Sequence, residues 1–345
     1  MNIERLAEKL VDAQFKRPWM IIGIFLLLTA AIIPGALNIE VKPSTEAILP
    51  EDNPDVRTLD SLRAKYSGDI THIVLRSGDM ARKDYFESML RAGNRIEKFQ
   101  NVRMVDSPAS RLVRKYGELP GNQEIEEYEY GSLMSDDRTT AVMMVRLDTQ
   151  ARSGEIEEFR SRLDTVVGSE MSVDYSYTGY NMINFDTFRF IISDFSRITV
   201  VSFIAVLLVL FSVFRDMKTM FLPVIPVIFA LVWMVGLGGY MGADMTIISM
   251  VSAAMIMGLG IDFGIHVTKK TATGEFEKER MYEGMKELSR GLLGGSLTTA
   301  VGFLALLFAQ LTGMHSLGIF LFTGILSAYL AAVVVLPSVI IILKR

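Results

Sequence analysis

The sequence predicts a membrane α-helical bundle of six transmembrane helices, with an α+β domain inserted between the first and the second. Three observations predict it. Half of the 345 residues are hydrophobic, more than an ordinary soluble protein carries. Those residues gather into one block near the N-terminus and a second over most of residues 195–345. The stretch between the blocks is polar and charged, and long enough for one compact domain. The chain has no cysteine, which excludes a disulfide framework and thiolate metal sites.

Residues 1–18 read as an amphipathic N-terminal segment. Residues 19–37 begin at the Trp of "KRPW" and contain no charged side chain. A signal peptide is the alternative there, but the run is long for one and "IIPGALNIE" is a poor cleavage site, so it reads as the first membrane helix. The second block, within residues 191–345, divides at its charges. Ile198–Phe214 lies between Arg197 and Arg215, and Thr219–Ala243 between Lys218 and Asp244. Met245–Thr268 carries only Asp262 and His266. Gly291–Leu343 has no Asp, Glu, Lys or Arg, which leaves room for two spans of ~20 residues each. Their natural break is "QLTGMHS", 310–316.

The loops set an orientation. The N-terminal segment, "RDMK", the 269–290 connection and the C-terminal "KR" carry 4, 2, 6 and 2 Lys or Arg, whereas "GAD" and "TGMHS" carry none. The positive-inside rule then places both termini in the cytoplasm and residues 38–190 outside a plasma membrane that the chain crosses several times. The 269–290 segment reads as a cytoplasmic amphipathic helix at the membrane surface, with Phe276, Met281, Met285 and Leu288 toward lipid.

In the outer domain "DITHIVLRS" alternates as a strand does, and 81–100 has helical spacing. "VRMVDS" is a second strand. After an insertion come a strand at 139–148, a helix at 154–167 and a strand at 172–179. This βαβ, insertion, βαβ order predicts a ferredoxin-like (split βαβ) extracytoplasmic domain. A further helix is expected to start around Pro54, and another at 181–198 to run on into the second span. No nucleophile, base or metal constellation stands out, so an enzyme is not expected. His72 reads as a structural strand residue. The domain's 27 Asp and Glu against 20 Lys and Arg argue against nucleic acid.

This arrangement of one span, a βαβ-containing outer domain and five more spans resembles the half-repeat of RND superfamily permeases. The fourth-span stretch "GLGIDFGIHV" is similar to the Gly-x-Gly-x-Asp-Tyr motif of the MMPL-like, hydrophobe/amphiphile efflux branch, which is related to sterol-sensing-domain proteins. The fifth and sixth spans resemble that family's Thr-rich span, Gly-rich turn and Pro-terminated last helix. The resemblance implies a secondary transporter exporting lipids or other hydrophobic or amphiphilic compounds. It also implies a proton relay at Asp262, with Thr298 and Thr299 as hydroxyl partners, and no cofactor beyond the coupling ion, a proton or alternatively Na⁺. Phe263 stands where the family commonly has Tyr. RND permeases join two such halves, and this chain holds one. It is expected to pair with its own copy or with a different half, unless it is a truncated piece.

The residues themselves support a special role for Asp262. A carboxylate at a helix centre costs ~3 kcal/mol on insertion scales, so such acids face protein or an aqueous cavity. Gly258 and His266 lie one turn away on the same face, and His266 is a further relay candidate, with a surface role one turn from the cytoplasmic Lys pair as its alternative reading. Gly260 and Gly264 form a small-xxx-small pair that permits close helix approach. Two poorly hydrated Asp262 side chains brought together could not both ionise easily, which suits a proton carrier. A structural acid satisfied by a neighbouring helix is the alternative, and for Thr298 and Thr299 it is hydrogen bonding within their own helix. Two other functions compete with transport. A Sec-associated secretion accessory shares the architecture, but its fourth-span signature is absent. A non-transporting lipid sensor or scaffold is separable only by the effect of removing Asp262.

Overall fold

A computed structural model describes residues 3–42, 48–50, 53–66, 70–147, 153–272 and 278–344. In chain order these form α1 (Ile3–Lys16), α2 (Pro18–Ile32, prolonged by a 3-10 turn at Ile33–Asn38), β1 (Val41–Lys42) and α3 (Pro54–Tyr66). Next come β2 (Ile70–Arg76), α4 (Lys83–Ile96), β3 (Val102–Asp106), α5 (Pro108–Tyr116) and α6 (Asn122–Glu127). They are followed by β4 (Thr140–Leu147), α7 (Ser153–Glu170), β5 (Asp174–Thr178) and α8 (Tyr180–Phe214). The remainder is α9 (Met217–Met220), α10 (Val224–Tyr240), β6 (Met245–Thr246), α11 (Ser252–Thr271) and α12 (Lys278–Leu304). The chain ends in α13 (Thr312–Leu330), a π turn at Ala331–Val335, and α14 (Leu336–Lys344). Contacts divide the chain into two units, Met1–Glu51 with Ile191–Arg345, and Asp52–Phe190.

The first unit is a helical bundle. Among the described residues six helices are long and apolar enough to cross a membrane: Pro18–Asn38, Tyr180–Phe214, Met217–Tyr240, Ser249–Thr271, Met281–Phe308 and Thr312–Lys344. Pro18 opens α2 in the first turn, where a missing N–H costs nothing. The most buried spans are the third and the last, because α10 and α13 pack along each other through Met234, Phe320 and Leu321. α2 is pinned to α10 by a stack of Phe25 on Trp233, 4.6 Å between ring centres. Trp233 Nε1 donates to Thr29 Oγ1 at 2.8 Å, and Tyr240 Oη donates to the Ala31 carbonyl at 3.1 Å. β1 and β6 pair in parallel, Val41 with Met245 and Lys42 with Thr246. A Lys42–Asp244 ion pair of 2.6 Å flanks that pairing.

Two expectations change here. The 269–290 segment is not a separate surface helix: residues 269–271 close α11, and α12 starts at Lys278 and runs unbroken past Gly291. Met281 and Met285 are buried in one cluster with Val11 of α1 instead of facing lipid, because the apolar side of α1 covers them. Phe276 lies outside the described residues. The helix expected at 181–198 does run on into the second span, as the continuous α8.

The second unit is built on a four-stranded antiparallel sheet in the order β3-β4-β2-β5. Alternation in sequence becomes alternation in burial: Ile73 and Leu75 of β2, and Ala141, Met143 and Val145 of β4, point to one face. The amphipathic α4 lays Phe86, Met89 and Ile96 into the same core, where Leu163 and Val167 of α7 join them. Ser107 caps α5 in a reciprocal box with Ser110. Asp106 beside it is buried and paired with Arg111 and Arg114.

Candidate functional site

The site is built on α11, and its neighbours decide which way each residue points. Gly264 lets the helix meet the start of α10 at backbone distance: a Cβ there would lie 2.5 Å from Pro223 O and 2.6 Å from Pro223 Cα. One turn earlier Gly260 faces Ala328 and Val227. The small-xxx-small pair is therefore occupied within the chain. Phe263 falls on a buried flank and meets Tyr329 edge-on, with ring centres 6.3 Å apart.

The remaining flank is open. Val251, Met255, Gly258, Asp262, His266 and Lys269 are all exposed and recur at helical spacing. No hydrogen bond or ion pair joins Asp262 to another described residue. No hydrogen bond joins Thr298 or Thr299 to Asp262. Thr298 Oγ1 donates to the Gly294 and Gly295 carbonyls at 3.0 Å each, and Thr299 Oγ1 to Gly295 O at 2.8 Å. Their protons serve their own helix and their lone pairs stay available.

Beside Gly258 the bundle holds a mainly apolar cavity of about 460 Å³, between α8, α10 and α11. Val206, Val227, Met257 and Ile261 line it, with the hydroxyls of Thr199 and Ser202 as polar exceptions. Thr199 Oγ1 is buried and has no hydrogen-bond partner among the described residues. Gly258 thus borders both the cavity and the face that carries the acid. Among the described residues no group of three His, Asp or Glu side chains is placed to hold a metal.

A membrane-embedded acid on a glycine-flanked helix, next to an apolar cavity in a six-helix bundle, frames the comparison with known proteins. The pattern of the MMPL family matches residues 47–345. The chain belongs to the MMPL family. It is also similar to a provisionally described membrane protein of Methanocaldococcus jannaschii. The two are 24% identical over 379 aligned positions, covering 100% of this chain and 96% of the relative. Like that relative, this MMPL chain is a membrane protein.

Sequence reasoning passed over two residues of this MMPL site. Tyr329 is the one tyrosine in the last charge-free block, and it places a phenol ring against the residue next to Asp262. Thr199 was hidden because hydroxyls are common in apolar spans, and only the helix packing shows that its oxygen is enclosed.

Proposed function

We propose that this chain is one half of an RND-type secondary transporter that exports lipids or other hydrophobic or amphiphilic compounds, driven by proton flow through Asp262. The observation that carries the reading is the open acid. A carboxylate in mid-span with no hydrogen-bond or ion-pair partner among the described residues is a poor fit to lipid, so it calls for a facing protein surface or water. A second copy of the chain is the simplest cover, with a different half as the alternative. Two Asp262 side chains facing each other would share a proton and exchange it as hydration alternates between the two sides.

The other parts of the reading follow. Both termini are cytoplasmic and residues 38–190 lie outside, on the loop-charge argument. The strand order β3-β4-β2-β5, with α4 and α7 as crossovers, supports a ferredoxin-like outer domain. The cavity beside Gly258 suits the apolar part of a substrate, and the enclosed Thr199 hydroxyl suits one polar group on it. The protein acts by binding and proton movement without a cofactor, and Na⁺ is the alternative coupling ion.

The test is proton flux in vesicles loaded with a pH dye. Wild type should dissipate an imposed gradient, and Asp262→Asn should not. Equal flux in both would sink the relay, and a response to Na⁺ alone would reassign the ion. Because the chain lacks cysteine, Gly258→Cys supplies its single thiol. Oxidation in membranes should then give a disulfide-linked pair if two copies face each other, and its failure would leave a different half as the cover.

A further inference from the structure

A proline leaves a gap in the backbone bonding of the last membrane helix. Pro337, the second residue of α14, has no N–H. In an α-helical register that N–H would serve the Val333 carbonyl four residues back. The helix instead widens into the π turn, where the Leu336 N–H reaches Ala331 O. A carbonyl in a membrane core must find its donor within the protein.

The donor comes from the other end of the sequence. Gln14 of α1 is fully buried, and its Nε2 donates to Val333 O at 2.9 Å and to Val334 O at 3.1 Å. Ser338 Oγ makes a further donation to Val334 O at 3.1 Å. Both partners of the amide nitrogen are carbonyl oxygens, which only accept, so the chemistry fixes the amide's orientation. Gln14 Oε1 is buried with no partner among the described residues. The side chain therefore serves the carbonyls of the π turn at the expense of its own acceptor.

The π turn also borders the helix that carries Asp262. Tyr329, two residues before the turn, is the residue that meets Phe263 of α11. On its other side α1 rests on α12 and α14, with Val11, Met285 and Leu336 in one buried cluster.

We propose that α1 is a strap on the last membrane helix. Docked, Gln14 supplies the donor that Pro337 lacks and holds the π turn, and the turn holds Tyr329 against Phe263. Undocked, the turn loses that donor, the kink shifts, and α11 is released with it. Gln14 is a positioning residue in this scheme. The inference stands whether or not Asp262 carries protons.

Hydrogen exchange on the full-length protein in lipid nanodiscs tests it, with wild type, Gln14→Leu, Pro337→Ala and the double variant. Gln14→Leu should speed exchange by about tenfold across residues 331–344, the weight of one buried hydrogen bond. It should also speed exchange around Phe263. In the Pro337→Ala background, where a backbone N–H replaces the missing donor, the same substitution should have little effect on residues 331–344. Equal increments in both backgrounds, or none in either, would show that Gln14 only fills space and would overturn the strap. If Gln14→Leu alone does not fold, the double variant must fold for the proposal to survive. Unchanged exchange around Phe263 while residues 331–344 loosen would overturn the link to α11.

Discussion

Replacing Gly264 with alanine should loosen the bundle, whereas the same change at Gly23 should not. The added Cβ at 264 would stand 2.5 Å from Pro223 O, 2.6 Å from its Cα and 2.9 Å from its carbonyl carbon. These are backbone atoms, so no rotamer change relieves them, and α11 and the start of α10 must part by about 1 Å. A gap of ~0.5–1 Å forfeits about a quarter to a half of each contact's attraction along the seam. Overpacking of this kind costs about 1–3 kcal/mol, and alanine's better helix propensity returns at most ~1 kcal/mol. At Gly23 nothing lies within 4 Å of the added atom, so only the propensity gain remains. The two variants should therefore move in opposite directions. Thermal unfolding of purified protein in detergent reads the difference, at about 2–4 °C per kcal/mol for a unit of this size. If Gly264→Ala melts at or above Gly23→Ala, close approach to Pro223 is not what seats α11, and the argument for which flank stays open fails with it.

Trp233→Phe keeps a ring against Phe25 but removes the donor to Thr29, and should destabilise the bundle by ~0.6–1.7 kcal/mol in the same melt. No loss would mean that the hydrogen bond is idle. Ser107→Ala opens the capping box of α5 and should cost about 1 kcal/mol, seen as faster amide exchange in residues 108–116 of the intact protein. Exchange confined to other segments would refute it. Hydrogen bonds from Arg91 and then Arg95 hold the Glu170 carboxyl below its ordinary value of 4.5. A depressed carboxyl stabilises the fold above its unfolded-state value, and that support is lost as pH falls through the folded one. Acidifying below 4.5 should thus weaken wild type more than Glu170→Gln, and parallel acid profiles would contradict the assignment.

The spans were legible because uncharged length is a property of the chain alone. Arg215, Lys218 and Asp244 punctuate it, and the end of α8 and both ends of the third span fall within a few residues of them, whereas Arg197 lies inside α8. The sheet was legible for a similar reason: the alternation of Ile73 and Leu75, or of Met143 and Val145, is local. What depended on a partner segment was not legible. Met281 and Met285 have the spacing of a lipid-facing stripe, and only the docking of α1 makes them core. The charges of 269–290 suggested a separate surface helix, yet Gly291 does not end it and α12 runs on to Leu304. At the site the motif set Phe263 beside Asp262 in sequence, but neighbours on a helix diverge by about 100°, so one is buried while the other is open. Gln14 has no periodic signature at all. Its role exists only because a proline more than three hundred residues later leaves a carbonyl in need.

The short pairing of β1 with β6 has a topological consequence. It ties the chain just after α2 to the chain just before α11, so the polypeptide between them is a loop fastened at both ends. A single protease cut within that loop would release neither piece. The N-terminal fragment would stay held by the Phe25–Trp233 stack, the Tyr240–Ala31 hydrogen bond, the Lys42–Asp244 pair and the Gln14 amide. The nicked protein should migrate as one particle. The gene could likewise be divided within the sequence for residues 117–121 and its two products co-expressed, because the half-molecules meet again through contacts that need no intact backbone between them.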